Sequence, residues 1–116
     1  MKDEECVPIE IIQLLSKKWA LLILGSLVSS HKLRYSELFH KLKGISPKTL
    51  TERLRELENE GIIMREAFSE IPPRVEYSLT KKGTELALSS VHIINWAEKW
   101  YPTPSRFPNA QVKHSI

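Results

Sequence analysis

A chain of 116 residues has room for one domain and one core, and its 17 Lys and Arg against 14 Asp and Glu leave a formal charge of +3. That mildly basic balance, with a pI of about 9.1, suits nucleic acid without requiring it. The single cysteine, Cys6, excludes an intrachain disulfide framework and a multi-cysteine zinc site. No signal-peptide pattern is visible and the longest apolar run, 19–24, is far short of a membrane span, so the expected setting is soluble and cytoplasmic.

In chain order, "PIEIIQLL" (8–15) sets Ile9, Ile12 and Leu15 at helical spacing with Pro8 suited to the first turn. "KKWALLILGSLVSS" (17–30) is apolar almost all round, which predicts a central buried helix loosening into a turn at Ser29, Ser30 and His31. "YSELFHKLKG" (35–44) predicts a short amphipathic helix with Leu38, Phe39 and Leu42 inward and Gly44 as its stop. A fourth helix starts at once: Ser46 is a good N-cap, Pro47 takes the first helical position where its missing N–H costs nothing, and Gly61 ends it. Residues 62–68 and 75–79 read as strands joined by "SEIPPR", because Pro72 and Pro73 cannot sit inside a ladder. Thr80 then caps a last helix running to about Trp100.

Four helices, two strands and a helix make a mainly α fold with a small β-hairpin, of the α+β class. The short "KGIS" between helices three and four is the length of a helix-turn-helix connection, and the hairpin after it is the wing of a winged helix-turn-helix. Residues 1–7 form an N-terminal arm, 8–100 the domain, and 101–116 a tail with prolines at 102, 104 and 108 and no periodicity.

The fourth helix carries the chemistry. At 100° per residue, Leu54 and Leu57 fall within about 40° of Leu50, giving one apolar seam. Lys48, Glu52, Arg55 and Asn59 lie opposite, flanked by Thr49 and Thr51. Hydroxyls and long hydrogen-bonding side chains suit base edges in a major groove about 12 Å wide, and cations suit phosphates. The free N–H groups at the helix start, near Ser46 and Pro47, favour a phosphate as well. Ser36 at the start of helix three joins this candidate contact set, as do Arg65 and Arg74 at the wing. Two of these residues have a second reading: Arg74 also suits a surface pair with Glu70 or Glu76, and Arg53, near the seam's edge, suits a phosphate or an internal ion pair equally.

A charged helix face is more often simply solvated, and Glu52, Glu56, Glu58 and Glu60 would repel a polyanion. Those acids gather towards the C-terminal half, which in a docked recognition helix points away from the bases. The competing reading is a winged helix used as a protein-interaction module without DNA.

The motifs "KKWALLIL", "YSEL", "GISPKTLTERLRELENEGII", "PPRVEYSLTKKG" and "WAEKW" stand in order and spacing such that the chain resembles the HxlR-type winged helix-turn-helix regulators, over roughly residues 6–100. The resemblance implies a MarR-like, homodimeric, sequence-specific repressor or activator that reads pseudo-palindromic operators, with dimer contacts from the terminal helices. Two departures stand out. The family usually opens Cys-Pro-Val where this chain has Cys6-Val7-Pro8-Ile9, and commonly has Gly-Gly-Lys-Trp where this chain has Ser16-Lys17-Lys18-Trp19.

The last helix offers two apolar stripes, Leu86, Ile93, Ala97 and Trp100 on one and Ala87, Val91 and Ile94 on the other. A core this small needs one, so the surplus is expected to meet a second copy together with Ile9 and Ile12, anchored by Trp96 and Trp100. Some members of the resembled family sense oxidants or electrophiles through a cysteine placed like Cys6. Here the anionic neighbours Asp3, Glu4 and Glu5 would raise its pKa and slow it, and an inert thiol is the commoner case. His31, His40, His92 and His114 are scattered, and no phosphate loop, nucleophile elbow or dinucleotide fingerprint is present. Neither an enzyme nor a metal or other cofactor is expected.

Overall fold

In the computed structural model residues 8–102 are described; the N-terminal arm with Cys6 and the tail from 103 onward lie outside the described residues. The elements are α1 (Ile9–Leu15), α2 (Ala20–Ser30), β1 (Lys32–Arg34), α3 (Tyr35–Lys41), α4 (Pro47–Asn59), β2 (Ile63–Phe68), β3 (Arg74–Leu79) and α5 (Lys81–Trp100). The mixed α+β class, the helix-turn-helix and the wing are as the sequence predicts. No single helix among the described residues is long and apolar enough to cross a membrane.

β1 was not foreseen. It pairs antiparallel with β3, Leu33 opposite Tyr77, so the sheet has three strands in the order β1-β3-β2. Three residues are too few to show an alternation. What makes them a strand is the β3 edge that they find more than forty positions away.

α2 sits at the centre as its composition requires, with Ala20, Ile23, Leu24 and Leu27 buried. α4 lays Leu50, Leu54 and Leu57 into the same core, all at 2 % exposure or less. Burying each of those leucines contributes about 1.5–3 kcal/mol, which fixes the helix's rotation about its own axis. Its start is set by Ser46, whose Oγ accepts the Thr49 N–H at 3.1 Å, and by Pro47 after it. Gly44 at φ +97° and Gly61 at φ +74° make the bends before and after, in a backbone region other residues avoid.

Thr80 joins the wing to α5. Its Oγ accepts the Gly83 N–H at 2.9 Å and donates to the Gly61 carbonyl at 2.6 Å, while its own N–H donates to the Ile62 carbonyl at 3.0 Å. α5 then packs on α2, where a Cβ placed on Gly25 would stand 2.7 Å from Ile94 Cδ1; Ala87 and Ser90 are buried along it, and Gly83 at its start is buried against Ile62. On the second stripe Ile94 reaches the chain's own α2, and it and Val91 are half-buried, as Leu86 and Ala97 are on the first.

A candidate nucleic-acid interface on the recognition helix

α3, the turn at 42–46 and α4 form the helix-turn-helix. With the leucine seam turned inward, Lys48, Thr51, Glu52 and Arg55 are turned outward and exposed, alongside Ser46 and Pro47 at the helix start. Among the described residues Lys48, Glu52 and Arg55 take no part in an ion pair. Their donors and charges are therefore available to a ligand at no cost in internal contacts.

The hydroxyls are less free than the sequence suggests. Thr49 is half-buried and its Oγ1 accepts from Ser46 Oγ at 3.0 Å, so it serves the cap. Thr51 Oγ1 lies 3.3 Å from the Tyr35 hydroxyl, which also donates to the Pro47 carbonyl at 3.1 Å. Tyr35 thus ties the first helix of the motif to the first turn of the second. Sequence reasoning missed it, and its place at the head of "YSEL" was the only available signal. Ser36 is exposed on α3, and its carbonyl is bonded to His40 Nδ1 at 2.7 Å.

Of the two roles left open for Arg53, the chain fills the internal one. The side chain is 12 % exposed; Nε donates to the Lys18 carbonyl at 3.0 Å and a terminal nitrogen meets Glu56 Oε1 at 2.9 Å. The other Glu56 oxygen takes Lys17 Nζ at 2.7 Å. That Lys17 hydrogen bond is the main cause holding the Glu56 carboxyl below its ordinary range; burial opposes it and the Arg53 contact adds to it.

Arg74 is likewise occupied. Its guanidinium lies 4.0 Å over the Phe68 ring, with one terminal nitrogen 3.2 Å from Glu70 and Nε 3.5 Å from Glu76, the latter without hydrogen-bond geometry. The expected free wing cation is folded back, because acids stand on both sides of it and an aromatic ring beneath. Arg65 differs: it is exposed and has no ion pair among the described residues. Two residues along β2 from buried Ile63, it stands on the same face of the sheet as that residue. No group of three or more His, Cys, Asp or Glu side chains among the described residues is arranged to hold a metal ion.

A second surface lies elsewhere. Ile9 and Ile12 on α1 and Ile93, Trp96 and Trp100 on α5 are exposed, each at 47 % or more, while Leu86 and Ala97 beside them are half-buried. Leu86 also packs on the core.

A buried leucine seam, an unpaired cationic outer face, a tight turn before and a hairpin after define a winged helix-turn-helix regulator of transcription. More narrowly, the chain belongs to the HxlR-like helix-turn-helix family, whose model matches residues 14–105. It is 45 % identical over 93 residues to an HTH-type transcriptional regulator of Synechocystis, sll1512, covering 77 % of this chain and 68 % of that one. It is similar in structure to the transcriptional regulator YtfH of Salmonella typhimurium, with a TM-score of 0.77, 33 % identity and coverage of 85 % of this chain and 88 % of that one. The redox regulator HypR in its oxidised form is also similar, at a TM-score of 0.73 and 33 % identity over 80 % of this chain and 96 % of that one. These relatives are regulators rather than enzymes.

Proposed function

We propose that the protein is a homodimeric, sequence-specific regulator that binds double-stranded DNA, with α4 in the major groove and the wing on the adjacent backbone or minor groove. The observation that carries this is the outer face of α4: exposed, bearing Lys48, Thr51, Glu52 and Arg55, and free of internal ion pairs among the described residues. A helix start with free N–H groups would meet a phosphate beside it. Lys48 and Arg55 would then reach bases or phosphates, and Arg65 rather than Arg74 would supply the cation beside the wing. Ser36 would add a hydroxyl from α3.

Two copies joined through Ile9, Ile12, Ile93, Trp96 and Trp100 would present two recognition helices. Spaced about 34 Å apart, these would read both halves of a pseudo-palindrome. The apolar exposure of those five side chains supports the pairing, since large apolar side chains left bare on two helices of a small domain call for cover.

The test is selection of bound fragments from the organism's genomic DNA, followed by affinity for the selected site against salt. A steep fall, with a slope of about 0.9 per phosphate neutralised, supports duplex binding. Affinity flat between low and moderate salt favours the protein-interaction reading. A second reading, favoured by the likeness to the redox regulator HypR, makes Cys6 a redox or electrophile switch on the same regulator. Treatment with diamide that leaves operator binding of the wild type and of Cys6→Ser equal removes that reading.

A further inference from the structure

The turn between α1 and α2 grips the recognition helix along one flank, between its leucine seam and its outer face. The Lys18 carbonyl accepts from Arg53 Nε at 3.0 Å, Lys17 Nζ meets Glu56 at 2.7 Å, and Glu56 closes the circuit to Arg53 at 2.9 Å. Trp19, next in the chain, has φ +81°, a left-handed backbone that a bulky residue adopts at a cost, so the surrounding contacts must hold it there. Its ring reaches the α3–α4 turn, where a Cβ on Gly44 would lie 3.9 Å from it. The same short segment therefore touches both the recognition helix and the bend before it. At its other end stands α1, with Ile9 and Ile12 exposed.

We propose that Arg53 is a positioning residue for DNA recognition: with Glu56 it clamps α4 to the Lys17–Lys18 turn, and so sets the helix's angle relative to α1 and the self-association surface. The inference rests on the DNA-binding reading above and adds that an enclosed arginine off the outer face decides operator discrimination. Arg53 is too enclosed, and its guanidinium too fully engaged, to neutralise a phosphate while the clamp is closed. Charge-assisted bonds of this kind are directional, and a guanidinium fork cannot be replaced by an ammonium without losing one arm.

Glu56 makes the claim separable from simple electrostatics. Removing an acid from a DNA-facing element ought to tighten binding to any polyanion. A clamp predicts the opposite for the operator. The experiment measures affinity of the full chain for the operator and for a random duplex across a salt series, for wild type, Arg53→Lys and Glu56→Gln, with thermal unfolding of each. The expected result is a loss of about three- to fivefold on the operator in both variants, the size set by a partly exposed ion pair worth under about 1 kcal/mol. Random-duplex affinity and salt slope stay within about twofold and within half a unit of wild type, respectively. Should Arg53→Lys not fold, Glu56→Gln, which keeps the side-chain shape, gives the reading alone.

Operator affinity unchanged in the folded variants, or Glu56→Gln tightening both DNAs alike, overturns the clamp. So does an Arg53→Ala variant whose salt slope falls by about one on both DNAs, because that is a phosphate contact. A wild type with no salt-dependent duplex binding overturns the DNA reading itself, which the wild-type series reports before any variant is compared.

Discussion

Gly83→Ala isolates the joint between wing and α5. A Cβ at this position would stand 1.9 Å from the Ile62 carbonyl oxygen and 2.8 Å from its carbon, both backbone atoms that no rotamer change can move. Contacts below 3.0 Å are essentially never made, so the start of α5 must retreat from Ile62 by more than 1 Å. That retreat breaks the Thr80 bonds to Gly61 and Ile62 and loosens the Thr80 cap on the Gly83 N–H. Each lost bond costs about 1 kcal/mol net, and the cap about 1 kcal/mol. Alanine returns up to about 1 kcal/mol through its better helix propensity. The balance is a destabilisation of about 2 kcal/mol, read as a urea midpoint lower by about 1–2 M at fixed protein concentration. A Gly83→Ala protein as stable as wild type, or more stable, would refute the reasoning, since propensity would then outweigh the clash.

Other outcomes follow from single contacts. Ser46→Ala removes the acceptor for the Thr49 N–H and should cost about 1 kcal/mol, with Ser46→Asp restoring it; equal stability of all three in urea would contradict the capping role. Because its folded pKa is depressed, Glu56 contributes stability above its ordinary value of 4.5 and loses it as pH falls through the folded value. Glu56→Gln should therefore be less stable than wild type at pH 7 by under about 1 kcal/mol, with the gap closing on acidification. A gap independent of pH would exclude the carboxylate as its source. On the proposed pairing Ile93→Lys should turn a wild-type dimer into a folded monomer in sedimentation, and an unchanged oligomeric state at the same concentration would contradict that pairing.

What the sequence made legible was local and periodic. The leucine seam of α4, its Ser46–Pro47 start and the stops at Gly44 and Gly61 each depend on neighbours within a turn or two. The rest depended on residues far apart in the chain. Arg53 finds the Lys18 carbonyl 35 positions away, and no spacing rule announces such a partner. Arg74 had its acids nearby, at Glu70 and Glu76, yet it took Phe68 beneath it to make the folded-back state fit. On α5 the two stripes were equally apolar. The available signal was the size of Gly25 on α2, which leaves the room that Ile94 of α5 fills.

The central claim is that the outer face of α4 reads DNA. Its most direct test is the affinity of Lys48→Ala and Arg55→Ala for the selected genomic site, with circular dichroism and unfolding measured on the same samples. Both side chains leave the core untouched, so folding should be unchanged while binding weakens by about 1–3 kcal/mol in each. Wild-type affinity in both variants would contradict the account.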